Sequence, residues 1–175
     1  TGTFGGIEAV VGKGATTTIT GLNAGQTFNV TGADAGTAGT LAFTGVGSLT
    51  GGSGDDTFTL GAAGTLSGSI AGGGQATADT LNLSGKAGAV SINQQTATAT
   101  GITGTFGGIE AVVGNGATTT ITGLNAGQTF NITGANAGTA GTLAFTGVGS
   151  LTGGSGDDAF VFAAGGSLTG LIDGG

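Results

Sequence analysis

The chain has 175 residues, 44 of them glycine, with no Pro, Cys, Met, Trp, Tyr or His and a net charge of −7. Collagen needs glycine at every third position and abundant proline, so it is excluded. With acidic residues outnumbering basic ones 9 to 2, there is no basic footprint for nucleic acid and no attraction to anionic membranes. No apolar run reaches membrane-spanning length.

In chain order, short segments alternate apolar and small polar residues, the period of a half-buried strand. The spacing predicts strands over 16–20, 26–31, 40–44, 48–50, 57–60, 65–70, 80–84, 89–93, 96–100 and 106–113. No stretch keeps a 3.6-residue period, so no helix is expected. Glycine-rich loops near Gly12, Gly32, Gly51 and Gly72 suggest coils of about 20 residues, five to a unit. The expected fold is all-β, an elongated parallel β-solenoid of the β-roll or β-helix kind. At about 4.8 Å per coil, one unit would rise roughly 24 Å. The inward set is Ile19, Phe28, Val30, Leu41, Phe43, Leu49, Phe58, Leu60, Leu66, Ile70, Leu81, Leu83, Val90 and Ile92. The corner glycines are expected to supply positive φ angles.

Thr1–Gly73 returns as Thr103–Gly175, a shift of 102 residues. Between Thr1 and Asp56 only Lys13 (Asn115), Val30 (Ile132) and Asp34 (Asn136) change. A long fixed period marks a repeat array. The reading is one array over 1–175, with a first unit at 1–102 and a partial second at 103–175, a window of a longer chain. Exposed ends would be edges that further repeats of the same chain must cover, with homotypic filament assembly as the related expectation.

One motif carries chemistry. Gly51-Gly52-Ser53-Gly54-Asp55-Asp56-Thr57-Phe58-Thr59 and Gly153-Gly154-Ser155-Gly156-Asp157-Asp158-Ala159-Phe160-Val161 both fit G-G-x-G-x-D-x-U-x. This resembles the nonapeptide of the repeats-in-toxin β-roll proteins, which implies Ca²⁺ held by glycine-loop carbonyls and the aspartate. The ion takes six to eight oxygen ligands. The next loop also ends in an aspartate, Asp79, so Asp56 and Asp79 are expected to face one ion from neighbouring coils, with Asp158 and Asp173 repeating this. The other reading is that GGSGDD is a tight solvated corner. The segments GTFGGIEAVVGNGATTTITG, AGQTFNITGANAGTAGTLAFTG, SLTGGSGDDAFVFAAGGSLTGLIDGG and ADTLNLSG with VSINQQTATATGI resemble repeats of large bacterial surface proteins and adhesins. That implies export and an extracellular or cell-surface stalk, its adhesion ligand unspecified.

An enzyme is not expected: without His, Cys, Tyr or Arg, acid–base work falls to scattered carboxylates and two lysines. Glu8 reads as a strand-edge or corner residue and Lys13 as surface. The rival function is a ligand-binding solenoid, for glycan or ice, using threonine-rich strand faces such as Thr16–Thr20 and Thr96–Thr100.

Overall fold

A computed structural model of the chain describes residues 5–175. Among these residues it is all-β, without helix. The elements are β1 (Ala9–Thr20), β2 (Thr27–Gly32), β3 (Ala35–Ala38), β4 (Leu41–Thr50), β5 (Thr57–Leu60), β6 (Ile70–Ala71), β7 (Thr80–Asn82), β8 (Val90–Asn93), β9 (Thr98–Ala99), β10 (Phe106–Gly107), β11 (Ala111–Thr122), β12 (Thr129–Gly134), β13 (Ala137–Ala140), β14 (Leu143–Thr152), β15 (Ala159–Phe162) and β16 (Ile172–Asp173).

Parallel strands stack into the expected elongated β-solenoid. Its coils, however, are longer than the glycine spacing suggests. Thr27 sits beside Thr57, Thr80 beside Ala111, and Thr120 beside Ser150, each step half as long again as the expected coil. Steps also vary, from Leu49–Ile70 at the short end to Ile70–Phe106 at the long end. The reason lies in what the glycines do. Gly12 opens no loop: it lies inside β1, where a Cβ would stand 2.3 Å from the Gly45 carbonyl oxygen. Counting glycines as corners therefore cut the coils too short.

Two faces run along the stack. The first carries the N-terminal part of β1, then that of β4, then β3, β2, β5, β7 and the N-terminal part of β11. The second carries the C-terminal part of β1, then that of β4, then β6, β10, β9, β8 and the C-terminal part of β11. A bond from Phe106 N–H to the Ala97 carbonyl joins β10 to the β8–β9 hairpin. Each face thus adds six strand layers before the pattern repeats at β11. An antiparallel excursion on the first face (β2–β3–β4) is balanced by one on the second (β8–β9). At about 4.8 Å a layer, a unit rises about 29 Å rather than 24 Å.

The core is a thin continuous file between the faces. Phe28, Phe58, Leu81 and Val112 follow one another in register on the first face. Ile92, Ile121 and Leu151 do so on the second. All are buried, as is every expected inward residue except the half-buried Ile19 and Leu41. Parallel register stacks like on like, so Phe28 lies flat on Phe58 at 4.8 Å and Phe130 on Phe160 at 4.7 Å.

Candidate metal corners and the acid–amide ladder

The corner loops lead from the second face back to the first. Glycine is required in them because there is no room for a side chain. A Cβ on Gly51 would lie 1.9 Å from the Gly72 carbonyl oxygen and 2.4 Å from Asp56 Oδ2. Gly153 stands the same way against Gly174 and Asp158, and Gly52, Gly54, Gly154 and Gly156 against the backbone of the neighbouring coil. None of these six has positive φ. The expectation that they supply left-handed turns is corrected: they are sites of close backbone approach.

Asp56 and Asp79 do lie on neighbouring strands, each immediately before the strand it introduces. Both are fully buried. Asp56 Oδ2 accepts the Gly52 N–H at 2.8 Å, stapling its own loop. Asp79 Oδ1 accepts the Asp56 N–H at 2.7 Å, and Glu110 accepts the Asp79 N–H at 3.0 Å. The three acids form a ladder in which each later carboxylate holds the backbone amide of the acid before it. In the second unit Asp158 makes both kinds of bond, to the Gly154 and Gln128 amides. Asp55 accepts three amides of the next loop, from Ala76, Thr77 and Ala78, at 2.6–3.1 Å. Those bonds, the Thr77 amide first, hold the Asp55 carboxyl below the usual carboxylate range despite its exposure. Burial pushes Asp79 the other way, above its ordinary value, reinforced by the neighbouring charges of Asp56, Glu110 and Asp55.

Asp173 does not join this set. It ends β16 on the second face and accepts the Gly175 N–H, and its counterpart in the first unit is Ala71, not Asp79.

These residues fit Ca²⁺ poorly as arranged. The ion needs a convergent shell of oxygens, but here one oxygen each of Asp55, Asp56 and Asp79 and both of Asp158 accept backbone N–H groups, and the Gly52 carbonyl accepts the Gly74 N–H. Two buried carboxylate oxygens have no partner, Asp56 Oδ1 and Asp79 Oδ2. No group of three acidic side chains converges among the described residues. A proton on Asp79, which its burial favours, relieves the ladder's charge without a metal.

The loop at Asp34 is a separate device. Asp34 has φ +51° and accepts the Ser67 N–H and hydroxyl; Asn136 has φ +53° and accepts the same two groups of Thr169. Asp and Asn tolerate this conformation better than other side chains. That explains why this position varies only between the two.

The threonine files are real but partly committed. On the second face Thr98/Thr100, Asn93/Ser91, Thr122/Thr120 and Thr152/Ser150 form four consecutive ranks. Several hydroxyls bond back to the coils: Thr100 to the Ser91 backbone, and Ser150 to the Leu171 N–H. Sequence reasoning missed one buried ionisable group. Lys86 is inside the coil, its ammonium donating to the Gly64 carbonyl, and burial lowers its pKa. The flanking Ser84-Gly85 and Ala87-Gly88 gave no apolar signal to mark it.

No family model matches the chain, and no curated protein or solved structure matches it either.

Proposed function

We propose that this chain is a structural spacer, a repeat region of a large secreted or surface-attached protein that adds fixed length between other parts. The observation that carries this is the matched six-layer count on both faces. The second unit opens with the same strand register as the first, so successive units stack on the same two faces. The chemistry supports the same reading. Each buried acid commits one carboxylate oxygen to a backbone amide, and the hydroxyls are partly committed to neighbouring coils. This reading places the stiffness in the acid–amide ladder rather than in bound ions.

The test puts one, two or three units between two fluorophores, in EDTA and in millimolar calcium. Energy transfer falls stepwise with unit number and is the same in both buffers. Transfer that ignores unit number would defeat the spacer reading. A calcium-dependent extension or melting temperature would instead put ions at the GGSGDD corners, as their resemblance to the repeats-in-toxin nonapeptide implies.

A further inference from the structure

A cavity of about 620 Å³ opens at the N-terminal end of the stack, lined by Ile19, Leu22, Gln26, Ala38 and Leu41 among others. Its counterpart in the second unit is filled. There the β8–β9 turn inserts two adjacent glutamines between the units. Gln94 Nε2 donates to the Ala140 carbonyl at 3.0 Å, and its Oε1 accepts from Gln128 Nε2 at 2.7 Å. Gln95 Oε1 accepts the Asn125 N–H at 2.9 Å. Ala140, Gln128 and Asn125 are Ala38, Gln26 and Asn23 shifted by 102.

The apolar lining records the same contact. Ile121 is fully buried where Ile19 is half-buried, and Leu143 is buried where Leu41 is half-buried. Leu22 is 65% exposed against 38% for Leu124. The residues are identical; only the plug differs.

We infer that this N-terminal cavity is a socket for a β-hairpin whose turn carries an Asn-Gln-Gln-Thr sequence, supplied by a further repeat of this kind. The inference rests on the spacer reading and names the joint between units. Its specificity is polar. A buried carbonyl, a side-chain amide and a backbone N–H stand at fixed places, and two adjacent glutamines supply the donor and both acceptors. Unmade, the two bonds of Gln94 leave part-buried groups unsatisfied, while the Gln95 bond covers an amide that is otherwise open to water. A hairpin of equal apolarity without the glutamine pair is therefore rejected.

The opposite end of the chain does not fit this socket. On the first face the stack ends at β15, on the second at β16, and in the first unit the counterpart of β16 lies two layers short of that of β5. The N-terminal end, formed by β1 on both faces, is flush. Two copies cannot pair on both faces at once.

The experiment fuses a copy of residues 74–102 directly before Thr1, recreating the junction at Ile102–Thr103. Amide hydrogen exchange is followed at Asn23 and Asn125. In the unfused chain Asn23 exchanges at least tenfold faster than Asn125. On fusion it slows to match. Gln94→Ala with Gln95→Ala, made only in the added copy, returns it to the fast rate. Gln26→Glu, which removes the donor but keeps the acceptor for the Leu22 N–H, speeds it in the fused chain alone. Asn23 unchanged on fusion, or equally slowed by the double-alanine copy, overturns the socket. So does concentration-dependent dimerisation of the unfused chain that protects Asn23. None of these results alters the length and EDTA test, so the spacer reading can survive loss of the socket.

Discussion

The corner at 51–56 and the corner at 153–158 have the same sequence and different surroundings. In the first, the loop 72–79 lies across the top; Asp56 is fully buried, Phe58 and Leu60 behind it are sealed, and Asp55 collects three amides. In the second, Asp158 is half-buried and Phe162 is 49% exposed. The contrast reverses at the other end of the unit, where β11 is covered by β7 and β8 and β1 is not. Asn115 there bonds the Lys86 and Gly88 carbonyls, while Lys13, its counterpart, faces solvent. In a solenoid a residue's burial is a property of the neighbouring coil, and stability is close to a sum of nearest-neighbour interfaces.

Truncating the stacked rings separates the two corners most strongly. Phe58→Ala opens a cavity in a sealed file and costs about 3–5 kcal/mol. Phe160→Ala, at the open end, costs less than half of that in denaturant melts. Equal costs would mean that the coils do not seal one another. Next come the staples. Asp56→Ala strands the Gly52 amide under the covering loop and costs about 1–3 kcal/mol. Asp158→Ala costs under about 1 kcal/mol, because Asp158 is itself half-buried and water enters where its carboxylate stood.

Asp79→Asn tests the ladder's charge. Because burial raises the Asp79 pKa, the folded state holds the proton more tightly than the unfolded chain. Its contribution therefore favours folding at low pH, and stability is lost as pH rises from the ordinary carboxylate range through the folded value. Asparagine keeps the acceptor for the Asp56 N–H and carries no charge. The variant melts higher at pH 7 and loses that part of the pH slope. A lower melting temperature at pH 7 would show that the charged form is the one the ladder needs. The smallest effect is at Lys86, whose pKa burial depresses. Folding there releases a proton between the folded value and the ordinary lysine one, so stability rises with pH through that window. Lys86→Met melts slightly higher at pH 7 and no differently at pH 10, read by circular dichroism.

Much of this was legible in the sequence because a parallel stack writes its register as alternation. Phe28-Asn29-Val30, Phe58-Thr59-Leu60 and Leu81-Asn82-Leu83 announce their inward residues, and the neighbouring places of Asp56 and Asp79 follow from the strands they precede. Three things were not legible. Ala35-Gly36-Thr37-Ala38 has no apolar contrast, so β3 and its antiparallel turn were invisible. Glycines at close approaches look the same as glycines at corners, which is why Gly12 shortened the coils, and Gly32 marks the β2–β3 hairpin turn rather than a new coil. And a hydrogen bond from a backbone amide to a carboxylate has no sequence signature that separates that carboxylate from a metal ligand. GGSGDD reads alike in both cases.

A unit adds six layers to each face. Small-angle scattering from this chain, and from the same chain extended by one further repeat, tests it most directly. The account predicts an unchanged cross-section and a maximum dimension longer by about 29 Å, six layers of about 4.8 Å. An increase of only about 24 Å, five layers at the same spacing, would restore five short coils. A thicker particle of nearly the same length would contradict the solenoid itself.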